Sequence, residues 1–197
     1  MDFAGARDYI IGRMRKELNP SLTYHTIEHT LDMHRAAIRL MEMEHFDDEH
    51  ERLLIETAAI YHDAGMIVSY NDHETQSVLI AGEMLPTFGY SLEDIDEVAG
   101  LILVTKLPQM PTNLPEQILC DADLDSLGSD DFFIQSFQLQ LEWKLNGIAQ
   151  TTLEEWLRFE VGFFTSHEYF TKSGRALRQE QKRKNLLEMT SILERLK

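Results

Sequence analysis

Leu54-Ile55-Glu56-Thr57-Ala58-Ala59-Ile60-Tyr61-His62-Asp63 is the stretch on which the fold turns. Leu54, Thr57, Ala58, Tyr61, His62 and Gly65 recur at spacings of three and four, which is one face of a helix over 48–63. His62 closes that stripe, and Asp63 stands beside it where the helix opens into a loop. Such a pair is either an ordinary buried ion pair or two ligands to one ion.

The same period governs the rest of the chain. It predicts helices at 2–18, 25–44, 73–86, 91–106, 114–127, 130–147, 151–166 and 174–196. Asn19-Pro20 stops the first, because proline disfavours a helical residue before it. Ser91 with Asp94 and Thr151 with Glu154 have capping-box spacing. Gly65, Gly89, Gly128 and Gly147 fall where C-terminal caps belong, and Pro108 to Pro115 reads as a loop. No segment alternates as a strand does. The expected fold class is all-α, a compact bundle of eight or nine helices in a single domain, residues 1–197, with its core over about 20–190.

Composition narrows the function. The chain has 197 residues and is 43% hydrophobic, enough for a real core. Eighteen Lys and Arg against 34 Asp and Glu give a net charge of −16, which repels a nucleic-acid backbone. No 18-residue apolar run or signal-peptide pattern is present, so no membrane partner is expected. Cys120 is the only cysteine, which points to a reducing, cytoplasmic setting. From Lys172 to Lys197 eight basic residues face three acidic ones. That run reads as a solvated helix face offsetting an acidic body, or as a partner-recognition surface.

Two more polar words sit on apolar faces. His25 and His29 are four apart, in a row that continues through Met33, Ala36, Ala37 and Leu40. An imidazole pointing into that row needs a hydrogen-bond partner or a metal. In the helix at 114–127, Leu119, Asp123 and Leu127 form one row, so Asp123 is a carboxylate set into an apolar surface. It must neutralise, meet a lysine or arginine, or meet a metal cation. Asp121 and Asp125 lie roughly 200° away on the helix and should be solvated. His29, His62, Asp63 and Asp123 together have the atom types for a divalent-metal site.

At these residues the chain resembles the HD-domain metal-dependent phosphohydrolases. Their pattern of His, His-Asp and a distant Asp is matched in order by His29, His62-Asp63 and Asp123. Tyr24 to His29 resembles the entry motif of the related cyclic-nucleotide phosphodiesterases. The resemblance implies His25 as proton donor and His29 as ligand. Asn71-Asp72-His73-Glu74, Thr105-Lys106, Asp121 to Gly128 and His167-Glu168-Tyr169 resemble the compact bacterial branch of these hydrolases. His73 is the only histidine between the His-Asp pair and Asp123, and Lys106 stands where another is expected. That favours one tightly bound ion (Mn, Fe, Ni, Co, Zn or Mg) over a dinuclear or oxygenase centre. Gly65-Met66 replaces the Gly-Lys of many relatives.

The implied activity is metal-assisted hydrolysis of a phosphoester or phosphoanhydride in a small molecule, a nucleotide above all. The alternative is a catalytically silent nucleotide-binding or signalling module. The partners expected are this small substrate, no nucleic acid and no membrane, with a homodimer compatible. Asp63 ligates and orients water, and His25 protonates the leaving oxygen. Lys106 continues the row Ile95, Ala99 and Ile102, so its stem should point inward to a phosphate oxygen, or else snorkel to solvent. Glu74, in a first helical turn, orients water or simply complements the helix dipole. His73 is a second-shell or second-metal residue, or a surface histidine. His34, His45 and His50 read as exposed and without a role. Phe132, Phe133, Phe137, Phe159, Phe163 and Phe164 read as core.

Overall fold

The computed structural model describes residues 1–196; Lys197, last of the basic residues counted above, lies outside the described residues. Among the described residues there are nine α-helices and no strand: α1 (Phe3–Glu17), α2 (Ile27–Met43), α3 (Glu49–Tyr61), α4 (His73–Met84), α5 (Leu92–Val104), α6 (Leu114–Asp123), α7 (Phe132–Leu145), α8 (Leu153–Ser166) and α9 (Lys172–Arg195). Short 3₁₀ turns occupy Ala64–Ile67, Leu85–Phe88 and Asp125–Gly128. The all-α expectation is met, and no helix is long and apolar enough to cross a membrane.

α3 forms the axis of the larger core. Leu54, Ile55 and every residue from Thr57 to Tyr61 are buried, so this helix is covered on all sides, by α1, α2, α5 and α6. Each fully buried aliphatic side chain there contributes roughly 1.5–3 kcal/mol relative to exposure. The Tyr61 hydroxyl donates to the Ala6 carbonyl at 3.0 Å, satisfying the one polar atom that this ring carries into the core. A second cluster gathers Leu127, Phe132, Leu157, Phe164, Met189 and Leu193 from α7, α8, α9 and the turn after α6.

Local chemistry fixes the helix ends. Thr26 caps α2, Asp48 caps α3 and Asn113 caps α6, each through its side-chain oxygen. Ser91 and Asp94 form a complete capping box. The second box is Thr152 with Glu155, one residue later than the expected Thr151 with Glu154. Gly89 and Gly147 adopt φ of 77° and 69°, as helix-ending glycines do. Gly65 and Gly128 do not. A Cβ on Gly65 would lie 2.0 Å from the His73 carbonyl oxygen, and one on Gly128 would lie 2.4 Å from that of Arg178. These two glycines let neighbouring helices cross close to the chain.

α6 ends at Asp123, not at 127, and α9 covers its outer side. That overturns the expectation that Asp121 and Asp125 are solvated. Asp121 is 1% exposed. It accepts from the backbone N–H of Phe170 and of Thr171, both at 2.8 Å, and from the Thr171 hydroxyl at 2.6 Å. Asp125 is half-buried between Arg39 at 3.0 Å and Arg178 at 2.7 Å. The basic run is solvated at Arg175, Arg183 and Lys184, but Lys182 is buried and donates to the His167 carbonyl.

Candidate metal centre

His29 lies in the first turn of α2, His62 and Asp63 end α3, and Asp123 ends α6. Three helix termini therefore converge at the seam between the two clusters. His62 Nε2 stands 3.0 Å from Asp63 Oδ2, 3.3 Å from His29 Nε2 and 3.6 Å from Asp123 Oδ1. His29 Nε2 is 3.5 Å from Asp63 Oδ2 and 3.6 Å from Asp123 Oδ1. Ligands ~2.1 Å from an ion lie ~3.0 Å apart at right angles and ~3.4 Å apart at tetrahedral angles. The two imidazole nitrogens thus stand at coordination-sphere spacing from each other and from both carboxylate oxygens, and His29, His62 and Asp123 each bring a ligand atom within 4.8 Å of the other two.

The surroundings fit a cation. Asp63 is 2% exposed, and its Oδ2 has no hydrogen-bond donor although it is wholly buried. Such an orphan is costly unless a cation meets it. His62 Nδ1 donates to the Ala59 carbonyl at 2.9 Å, so Nε2 is the nitrogen that faces the cluster. Burial alone would lower the His62 pKa, but Asp63 and Asp123 outweigh it and raise it above the ordinary histidine value. Burial would raise the Asp63 carboxyl, yet His62, His25 and His73 hold it well below the usual aspartate range. Both shifts say that this pocket stabilises positive charge.

Ser77 of α4 braces the His-Asp turn. Its hydroxyl donates to the His62 carbonyl at 2.6 Å and accepts from the Gly65 N–H at 2.7 Å. Gly65 is what allows α4 this close. α4 also delivers His73, which was open to reading as a surface histidine. Instead its Nε2 lies 3.3 Å from Asp63 Oδ1, while its Nδ1 donates to the Tyr70 carbonyl at 3.1 Å. His25, Asp63 and His73 each bring a ligand atom within 4.8 Å of the other two.

His25 precedes α2 rather than lying on it, so it is not stacked on His29 by helix geometry; the ring centroids are 6.0 Å apart and nearly perpendicular. Its Nδ1 meets Glu142 of α7, a residue absent from the sequence-derived site. Glu142 is fully buried and also accepts from the N–H of Tyr24 at 2.8 Å, the N–H of His25 at 2.9 Å and the Tyr70 hydroxyl at 3.0 Å. Burial would raise its pKa, but the His25 contact and these donors lower it. The one sequence signal was that Glu142 is the only acid within α7.

Two other candidates sit differently from expectation. Lys106 lies past the end of α5, so its stem does not follow the buried row; its amine is half-exposed and pairs with Asp72 at the cavity rim. Glu74 is 9% exposed in the first turn of α4, with Oε1 3.7 Å from His73 Nε2. His34 is not exposed either: it is half-buried against Glu56 at 2.9 Å. A cavity of about 370 Å³ opens from the His-Asp cluster toward α7 and α8. Phe132, Phe159 and Phe163 line it; Phe132 also belongs to the second core cluster and Phe163 packs against it, whereas Phe159 is 43% exposed and departs from the core reading. Phe137 is exposed, while Phe164 is buried.

The sequence matches the HD domain family over residues 26–126, just over half of the chain. The fold is shared with a predicted HD superfamily hydrolase from an uncultured Thermotogales bacterium, at 19% identity over 95% of this chain and 89% of that one, with a TM-score of 0.60. It is shared also with Bacillus subtilis YpgQ, solved in complex with ADP, at 20% identity over 96% of both chains and a TM-score of 0.65. No curated protein matches the sequence. The chain belongs to the HD-domain family.

Proposed function

We propose that this chain is a metal-dependent phosphohydrolase that cleaves a phosphoester or phosphoanhydride bond in a small molecule, with a nucleotide as the substrate. The observation that carries the reading is the approach of His29, His62 and Asp123 to one another, with His29 and His62 also 3.5 and 3.0 Å from the buried Asp63 Oδ2, in the lining of a cavity. These four side chains would hold one divalent ion. Bound there, it supplies Lewis acidity toward a phosphoryl oxygen and a lowered pKa for water.

The chain's own groups divide the remaining work. Asp63 Oδ1 and His73 Nε2 face each other and can orient a water by hydrogen bonds, with Glu74 behind them. His25 carries the leaving-group proton. The buried Glu142 carboxylate takes its Nδ1–H, fixes the ring, and supports the imidazolium that can donate from Nε2. Lys106 at the rim offers a point charge to an entering phosphate once it leaves Asp72. Nucleotide as substrate draws support from two facts. The cavity is also lined by the aromatic side chains Phe132, Trp143, Phe159 and Phe163, and the structural relative YpgQ was captured with ADP. The net charge of −16 disfavours polyanions and so favours small substrates.

The test is elemental analysis of freshly purified protein beside a screen of nucleotides and phosphoesters with Mn, Mg, Co and Ni. The expected result is close to one divalent ion per chain, with His62→Ala and Asp123→Ala losing both metal and turnover. Metal-free wild type that hydrolyses phosphoesters would overturn the reading. Tight nucleotide binding without product would assign a binding module instead.

A further inference from the structure

The cavity is lined, besides the His-Asp cluster, by a carboxyl group that the proposed hydrolysis leaves without a task. Glu160 of α8 lines the cavity and is 4% exposed. Its Oε1 accepts from the Ser136 hydroxyl of α7 at 2.8 Å, and Ser136 accepts in turn from Trp156 Nε1–H at 2.8 Å. Among the described residues no cation pairs with Glu160 and no donor meets its second oxygen. That oxygen is not among the sealed, partnerless polar atoms either, which leaves it facing the cavity. Phe132, Trp143, Phe159 and Phe163 line the same cavity. Trp143 and Phe159 rings lie 5.1 Å apart at centroids.

A lone acid in an aromatic chamber is a poor device for stability. Burying a carboxyl beside one hydroxyl and no cation is unfavourable, and an apolar side chain of similar volume would serve the packing better. Burial lifts its pKa to about 7 against the pull of Ser136, so it is about half protonated at neutral pH and largely protonated below it. A protonated carboxyl both donates and accepts. Planar aromatic walls with one donor–acceptor group at their edge are what a heteroaromatic ring needs: stacking on its faces, hydrogen bonds at its rim.

We propose that Glu160 is the specificity residue of this site: it hydrogen-bonds the edge of a nucleobase held among Trp143, Phe159 and Phe163, at the exocyclic amino or oxo group and the adjacent ring nitrogen. The inference rests on the nucleotide reading above and names the group that enforces it. The buried carboxyl discriminates against substrates that lack such an edge, because it would then be desolvated with no partner.

The test compares three substrates in wild type, Glu160→Gln and Glu160→Leu: ATP, the triphosphate of purine riboside (which has hydrogen in place of the exocyclic amino group), and inorganic tripolyphosphate. AMP binding is followed by Trp143 fluorescence in the same proteins. In wild type the purine analogue loses about ten-fold in kcat/KM against ATP, the scale of one buried hydrogen bond. Tripolyphosphate is cleaved worse still. Glu160→Gln keeps the preference, since its amide also donates and accepts. Glu160→Leu abolishes the ATP-over-purine difference, weakens AMP binding and melts no lower than wild type. If Glu160→Leu retains the preference, or unfolds the protein as a structural residue would, the proposal is overturned. Efficient cleavage of all three substrates without preference overturns it while the phosphohydrolase reading stands. Glu160-dependent AMP binding without turnover of any substrate sustains the proposal and sinks the hydrolase reading. Absence of both AMP binding and turnover sinks both.

Discussion

Replacing Glu142 by Gln separates proton delivery from metal binding. Oε2 of Glu142 accepts the N–H of Tyr24 and of His25, while Oε1 receives His25 Nδ1 and the Tyr70 hydroxyl. A glutamine keeps its single oxygen on the two backbone donors, which are fixed. Its NH₂ then faces His25 Nδ1 and Tyr70, and a donor meets donors. His25 must present a lone pair at Nδ1, so it no longer sits as an imidazolium backed by a carboxylate. One charge-assisted hydrogen bond, ~1.5–3 kcal/mol, is lost. If His25 protonates the leaving oxygen, turnover falls about a hundred-fold, the lower range of general acid catalysis. Metal content stays as in wild type, because none of the four ligands touches Glu142. The decisive assay uses two leaving groups. An alkyl phosphoester needs a proton on its departing oxygen and should suffer the whole loss. A p-nitrophenyl ester leaves as a stable anion and should lose only a few-fold. Equal losses for both esters would refute the role given to His25 and Glu142.

Three further outcomes follow from packing and charge. Gly65→Ala places a Cβ 2.0 Å from the His73 carbonyl oxygen and 2.6 Å from the Ser77 N–H nitrogen. Neither is a flexible side-chain end, so stability should fall by at least ~1–3 kcal/mol, with metal affinity, in urea titration and metal analysis. Wild-type stability would show that α4 moves freely. Asp121→Ala strands the buried N–H groups of Phe170 and Thr171, at ~1–3 kcal/mol each; Asp121→Asn should be milder, and an unchanged urea midpoint for the alanine variant would contradict the burial argument. The Glu160 carboxyl, raised from 4.5 to about 7, holds its proton more tightly folded than unfolded. Its contribution is therefore fully present below about 4.5 and lost as pH rises to about 7. The difference in unfolding free energy between wild type and Glu160→Gln should fall by up to roughly 3 kcal/mol across that window. Parallel stability curves would mean the carboxyl is solvated.

Helices were legible wherever a period or a cap is written in neighbouring residues. The α3 stripe and the Ser91–Asp94 box are local patterns, and local physics sets them. The errors arise where a second layer intervenes. A helical wheel places Asp121 opposite Asp123 and calls it solvated, because nothing in 114–127 says that α9 will lie on that side. Lys106 was misdirected by two residues of helix that do not exist, since α5 stops at Val104. His73 was obscured by backbone: Asp72 has φ of 57°, a left-handed turn that no pattern around it announces, and that turn leads into the helix whose first residue faces Asp63. Glu142 meets His25 across 117 positions, beyond any spacing rule.

The residues missed outright share a location. His29, His62, Asp63 and Asp123 belong to helices of the larger core, whose periodicity is strong, and the sequence named them as a candidate set that the fold brings close together. Glu142, Ser136 and Glu160 belong to α7 and α8, which join that core only across the cavity, and they were missed. The division follows from how the site is assembled. A cation cage needs ligands on helix ends that pack directly, so its residues sit in readable apolar rows. Groups that hold a proton or meet a substrate edge must face open space. They interrupt apolar faces without belonging to a row, and their meaning is set by what lies across the gap. The lone acid in α7 and the acid between Phe159 and Val161 in α8 are such interruptions. A carboxylate that breaks an otherwise uncharged helical face, in a chain with a His/Asp cluster able to hold a metal, is therefore the feature to weigh first when looking for the rest of the site.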